Sequence, residues 1–206
     1  MRAIALTGRI GSGKSSVARY LRARGAATVD ADEIVHALYR DDAVLRSALE
    51  ARFGAAVLTP DGINRAALGQ LVFTEPQART DLEALVHPRV HVREAEFLAH
   101  ARAEGYDLAV IEAVKVVESG GADRCDELWI VTCPPAVAIT RLADRGMGAE
   151  EAARRLATQG DWTTWIRTFQ SDSVRIGRPR TVVVIDNGGS PAEVCAQIDA
   201  LIARDG

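Results

Sequence analysis

The chain has 206 residues, 48% hydrophobic and 26% charged, with 25 Lys and Arg against 28 Asp and Glu for a net charge of −3. That is the make-up of a globular protein long enough for one α/β domain with an insertion and short for two independent cores, and the slight acidic balance excludes the broad electrostatic attraction on which nucleic-acid binding rests. No run approaches the roughly 18 apolar residues that span a bilayer, an apolar strand begins at Arg2 and leaves no room for a signal peptide, and Cys125, Cys133 and Cys195 lack any C-x-x-C spacing; the expectation is a cytoplasmic protein with buried thiols, free of membrane and nucleic-acid partners.

The first element is the strand "RAIAL", followed by the loop of "ALTGRIGSGKSS" and by "SSVARYLRAR", where Val17, Tyr20 and Leu21 fall at helical spacing. Glycines at Gly8, Gly11 and Gly13 weaken any regular element, so a loop joins strand to helix. Gly8, four residues, Gly13, Lys14 and Ser15 fit G-x-x-x-x-G-K-[ST]. In that motif the backbone N–H groups of the loop, here including Arg9, Ile10, Gly11, Ser12 and Ser16, line a concave anion site at a helix N-terminus. Lys14 then reaches the β- and γ-phosphates of ATP and the Ser15 hydroxyl binds Mg²⁺. The alternative is an ordinary glycine turn; the complete motif in strand–loop–helix context favours the phosphate cradle.

The second strand, "AATVD", leads into "VDADEIV". Alternation along an extended chain places Asp30 and Asp32 on one side, where one of them can serve as general base or organise Mg²⁺; equally, an aspartate there caps the next helix. From about Ile34 to Glu104 the apolar positions, among them Leu45, Leu49, Phe53, Leu68, Leu71, Leu82 and Val86, recur at three and four, with breaks at "TPDG" and "EP". This segment is too long for a simple crossover and reads as a helical subdomain inserted beside the sheet. Strands "DLAVIEA" and "ELWIVTC" follow, then a helical excursion over about 135–168 carrying Arg141, Arg145, Arg154, Arg155 and Arg167, and a last strand, "TVVVID". Alternating strands and helices imply a parallel sheet covered on both faces, with ligands at the strand carboxyl ends. Arg141 and Arg145 share a helix face. As part of a closing lid they can stabilise charge on a transferring phosphoryl group; as part of a solvated face they do nothing.

Together these segments resemble the dephospho-CoA kinase family over nearly the whole chain: "IALTGRIGSGKSSVARYL", "VDADEIV", "RFGAAVLTPDGINRAAL", "LVFTEPQARTDLEALVHPRV", "CPPAVAITRLADRGMGAEEAARRLATQ" and "VIDNGGS" fall in that family's order. The resemblance implies a single three-layer P-loop kinase domain with a five-stranded, mainly parallel sheet, a helical CoA-binding insertion over about 34–104 and a small helical lid. It also implies transfer of the ATP γ-phosphate to the ribose 3′-hydroxyl of dephospho-CoA, by a monomer or weak homo-oligomer. Asp32 matches the family's catalytic base and Arg141 its lid arginine, with Arg145 and Arg155 in support. Asn187 is placed beside the adenine. Arg65, Phe73, His87 and Pro88 fall in the acceptor-binding region; a lone histidine before proline is more often a helix-end or packing residue, so His87 receives no acid–base role.

The chain departs from that family in two places. Where the family carries "D-x-P-L-L-F-E", this sequence has "EAVKVVESG", so Glu112 replaces the aspartate and Lys115 enters an apolar run. Glu112 can still approach Mg²⁺ through water, and Lys115 can meet a phosphate, pair with Glu112 or Glu118, or extend into solvent. After Gln159, "GDWTTWIRTFQSDSVRIGRPR" is longer than the family's connection; Trp162 and Trp165 can pack on one helix face, and Arg175, Arg178 and Arg180 read as a solvated basic loop. Two other functions fit the motif alone: a related P-loop kinase with another acceptor, and a nucleotide-binding regulator without transferase activity.

Overall fold

The computed structural model describes residues 1–177 and 179–205. In chain order the elements are β1 (Arg2–Gly8), α1 (Lys14–Ala23), β2 (Ala27–Asp30), α2 (Ala31–Asp41), α3 (Ala43–Phe53), β3 (Leu58–Thr59), β4 (Gly62–Ile63), α4 (Arg65–Thr74) and α5 (Pro76–Ala103). They continue with β5 (Leu108–Glu112), β6 (Glu127–Thr132), α6 (Pro135–Ala143), α7 (Ala149–Thr158), α8 (Trp162–Ile176), β7 (Thr181–Asp186) and α9 (Pro191–Ile202). The chain forms two compact units, one made of Met1–Thr28 with Leu98–Gly206 and the other of Val29–Phe97.

The first unit is built on a five-stranded sheet in the order β2-β5-β1-β6-β7. β1 pairs in parallel with β5 and with β6, and β6 with β7. Strands β1 and β5 are buried along nearly their whole length, which is why each reads in the sequence as an unbroken apolar run. Helix α1 lays Val17, Ala18 and Leu21, and α9 lays Val194, Ile198 and Leu201, against Ile4, Leu6, Val110, Trp129, Val131 and Ile185. A capping box, with Ser190 accepting from the Glu193 amide and Glu193 reaching back to Ser190, starts α9 just after the last strand.

In this sheet order the chain reverses direction at β1, so the carboxyl ends of β1, β5 and β6 frame a crevice. Register places Glu112 opposite Leu6, and Gly8 opposite Val131. The phosphate-binding motif therefore emerges beside the last residue of β5.

The second unit is helical, around Ile34, Leu38, Leu45, Leu49, Val57, Leu68, Val86 and Val90. Ion pairs Arg52–Asp81 at 2.6 Å and Arg89–Asp42 at 3.2 Å tie α3 and its N-cap to α5. The "TPDG" break is the tip of a two-stranded antiparallel hairpin, β3–β4, which two-residue strands gave no periodicity to announce. Helix α5 runs straight through Pro88, so His87 lies inside a helix, stacked 6.2 Å from His91, and not at a helix end. Val86 and Val90, buried on either side of that proline, hold the turn that it weakens. Among the described residues no helix is long and apolar enough to cross a membrane. None of the three cysteines is in a disulfide, and only Cys125 is fully buried; burial nevertheless pushes the half-buried Cys133 thiol above its usual range.

Candidate active site

The loop between β1 and α1 has the shape its glycines allow. Gly11 and Gly13 take φ of 77° and 89°, in the left-handed region, and a Cβ at Gly8 would lie 2.6 Å from the Val131 carbonyl oxygen. Gly13 is also the N-cap of α1, with no side-chain cap and no acidic residue in the first turn. The helix thus presents uncapped amides and its positive end to whatever occupies the loop, the arrangement that favours an anion.

Glu112, only 6% exposed, accepts hydrogen bonds on one carboxylate oxygen from Lys14 Nζ and from Ser15 Oγ, each at 2.6 Å. Three residues read separately from the sequence are thereby brought to one point, and the extra methylene of Glu112 over an aspartate gives it that reach. A buried carboxylate joined to an ammonium and a hydroxyl is a charge-balanced cluster, able to exchange these partners for phosphate and a hard cation. Ser15 and Glu112 are hard oxygen donors suited to Mg²⁺, an ion bound through one or two protein oxygens with waters and substrate phosphates completing its shell.

The other side of the loop is braced by backbone contacts. The Ser12 carbonyl accepts from Asn187 Nδ2 at 2.6 Å and from Arg141 Nη1 at 3.2 Å, while Arg141 Nη2 donates to the Asn187 carbonyl at 2.9 Å. Asn187, 8% exposed, packs so closely on Gly13 that any side chain there would collide with its amide. Around this brace lies a cavity of about 490 Å³ lined by Gly13, Ser16, Tyr20, Arg141, Arg145, Asn187 and Gly189, within the size range of small-molecule sites. The structure thus brings Arg145 and Asn187 to one cavity at the loop; Arg155 is instead paired with Glu151 along α7.

The remaining sequence-derived residues are less concentrated. In the second unit, Asp30 and Asp32 do not alternate along one strand: the strand ends at Asp30, whose carboxylate caps α2 by accepting from the Asp32 amide at 2.8 Å, and Asp32 sits exposed in the first helical turn. Arg65 is exposed at the start of α4, Phe73 is 90% exposed near its end, and His87 is half-buried on α5. In the first unit Lys115 is exposed in the turn after β5, while its neighbours Val116 and Val117 are buried. Glu118 accepts from Trp165 Nε1 at 2.7 Å.

The stretch after Gln159 is not the solvated basic loop expected from its arginines. Arg180, with its side chain 0% exposed, stacks 3.5 Å over the Phe169 ring and donates to the carbonyls of Ala122, Cys125 and Phe169. Arg175 pairs with Asp123 and Asp172, and Arg178 lies outside the described residues. Trp165 is buried and Trp162 partly exposed, both lining one cavity. The stretch is a structural clamp. No spacing announces the contacts of Arg175 with Asp123 or of Arg180 with Ala122 and Cys125, because each pairs residues distant in sequence.

Comparison with known proteins agrees with this geometry. A family model described as dephospho-CoA kinase matches residues 2–169. A dephospho-CoA kinase of Geobacter sulfurreducens is 36% identical over 206 residues, covering 99% of this chain and 98% of that protein. One from Symbiobacterium thermophilum is 38% identical over 202 residues, covering 97% and 80%. Among solved structures, that of TT1252 from Thermus thermophilus superposes with a TM-score of 0.74 at 26% identity, covering 100% of this chain and 98% of that one. With a parallel-sheet core, a complete phosphate loop and near full-length relatives of one kind, this chain belongs to the dephospho-CoA kinase family.

Proposed function

We propose that the protein transfers the γ-phosphoryl group of ATP to the ribose 3′-hydroxyl of dephospho-CoA, giving coenzyme A and ADP. The observation that carries this reading is the cluster of Lys14, Ser15 and Glu112 at the head of the loop, in a chain of this family. Phosphoryl transfer asks little covalent chemistry of a protein; it asks for positioning and for charge aimed at the transferring group. On ATP binding, the amides of Gly11, Gly13, Lys14 and Ser15 take the phosphates, and Lys14 leaves Glu112 for the β- and γ-oxygens. Arg141 and Arg145 face the nucleotide from the cavity beside Gly13, with Asn187 near the adenine. When bound, Mg²⁺ neutralises phosphate charge, and Ser15 is the residue to hold it, with Glu112 acting through water.

Asp32 is the residue we assign to the acceptor. Its exposed carboxylate accepts the 3′-hydroxyl proton as the oxygen bonds to the γ-phosphorus, while the bond from that phosphorus to the β–γ bridging oxygen breaks and ADP keeps the electron pair. Arg65, Phe73 and His87 are the acceptor-binding candidates of the second unit, and Lys115 that of the first. Incubating the protein with Mg·ATP and a panel of dephospho-CoA, nucleoside monophosphates and pantetheine derivatives, with products identified by mass, tests this directly. Coenzyme A is the expected product. Phosphorylation of a different acceptor, or ATP binding without acceptor-dependent ADP release, would replace the proposal with another kinase or with a nucleotide-binding regulator.

A further inference from the structure

The peptide joining Arg9 to Ile10 is pinned on both edges. Its carbonyl accepts from the Ser12 amide at 3.0 Å, closing the turn that begins the loop. Its N–H donates to Gln159 Oε1 at 2.7 Å, across 149 positions of sequence. The neighbouring Arg9 guanidinium donates to the Leu156 carbonyl, so two polar contacts join this turn to the end of α7.

The turn borders a cavity on that side. Arg9, Ile10 and Ser12 line a cavity of about 330 Å³ whose far wall includes Leu156, Trp162 and Trp165. A backbone segment that borders a cavity loses van der Waals restraint there, and its orientation rests on hydrogen bonds. Gln159 is itself well anchored. It follows α7 directly, and the start of α8 beyond it is fixed by the Trp165–Glu118 hydrogen bond.

We propose that Gln159 is a positioning residue for the ATP reaction: its side-chain carbonyl sets the Arg9–Ile10 peptide so that the amides of Gly11, Gly13 and Lys14 converge on the triphosphate. This rests on ATP being the ligand of the loop. The hydrogen bond of Gln159 goes to the loop backbone and not to Lys14, so its loss is expected to act on nucleotide affinity.

The test pairs two variants of the full chain. Gln159→Met keeps the length of the side chain and removes the oxygen acceptor; Gln159→Glu keeps an acceptor oxygen. Mg·ATP affinity is read by equilibrium titration without dephospho-CoA, together with KM for each substrate, kcat and the melting temperature of the unliganded protein. Gln159→Met is expected to weaken ATP binding and raise KM for ATP about 5- to 10-fold, the effect of one such hydrogen bond. The same variant should leave kcat within about twofold and KM for dephospho-CoA and the melting temperature unchanged, with Gln159→Glu restoring most of the ATP affinity. Unaltered ATP affinity in Gln159→Met, an equal loss in both variants, or a loss matched by a fall in melting temperature would overturn the assignment. Because the titration omits the acceptor, failure of the acceptor panel leaves its result readable.

Discussion

In the unit formed by Met1–Thr28 and Leu98–Gly206, buried Glu112 and Asn187 and several of their neighbours around the phosphate loop are already engaged: Glu112 with Lys14 and Ser15, Asn187 and Arg141 with the Ser12 carbonyl, Gln159 with the Ile10 amide. In the unit of Val29–Phe97, Asp32, Arg65 and Phe73 all stand exposed. On the function proposed above, the contrast follows from the ligands. A triphosphate presents the same dense charge every time, so fixed amide dipoles aimed at it serve without reorienting, and only Lys14 and Ser15 have to change partners. On the same proposal, a long acceptor with apolar and polar parts would be met by these exposed side chains, each ordered at a cost in affinity.

The largest test of this contrast is Lys14→Ala. It removes both the phosphate ligand and the ammonium that balances a buried carboxylate, so kcat/KM should fall by about a thousandfold or more and ATP binding should weaken with it. The unliganded protein should also melt at a lower temperature, because Glu112 keeps only Ser15 as its partner. Activity within tenfold of the unmodified protein would show that the loop does not depend on this cluster. The smallest expected effect belongs to the other unit. Phe73→Ala trims an exposed ring that packs on nothing, so stability should not change, while KM for dephospho-CoA should rise about three- to tenfold with KM for ATP untouched. A change in KM for ATP instead would blur the division between the two units.

The two units also differ in what could be read from their residues. The sheet was legible because its buried strands are continuous apolar runs between helical stretches, and the phosphate loop because its motif is local: Gly8 through Ser15 fold around their own backbone. The helical second unit was legible in type, since Leu45, Leu49 and Leu68 keep the helical period, but its β3–β4 hairpin was too short to show one. Spacing alone left Asp30 and Asp32 equivalent, the resemblance singled out Asp32, and the strand end at Asp30 makes that residue the cap of α2 and leaves Asp32 exposed. Gln159, Asn187 and Arg180 carry contacts over 149, 175 and up to 58 positions, and no spacing rule reaches that far. Arg180 shows the error most plainly. Composition suggested a solvated charge, and the fold buries it over Phe169 because three carbonyls accept its hydrogen bonds.

The division of labour rests on Asp32 serving the acceptor hydroxyl alone. Asp32→Asn, assayed side by side for Mg·ATP affinity and for single-turnover formation of coenzyme A, tests that most directly. The account predicts ATP affinity within about twofold of the unmodified protein and transfer slowed by about a hundredfold or more, the usual worth of a positioned base. Transfer at the normal rate, or a loss of ATP affinity as large as the loss of rate, would contradict it.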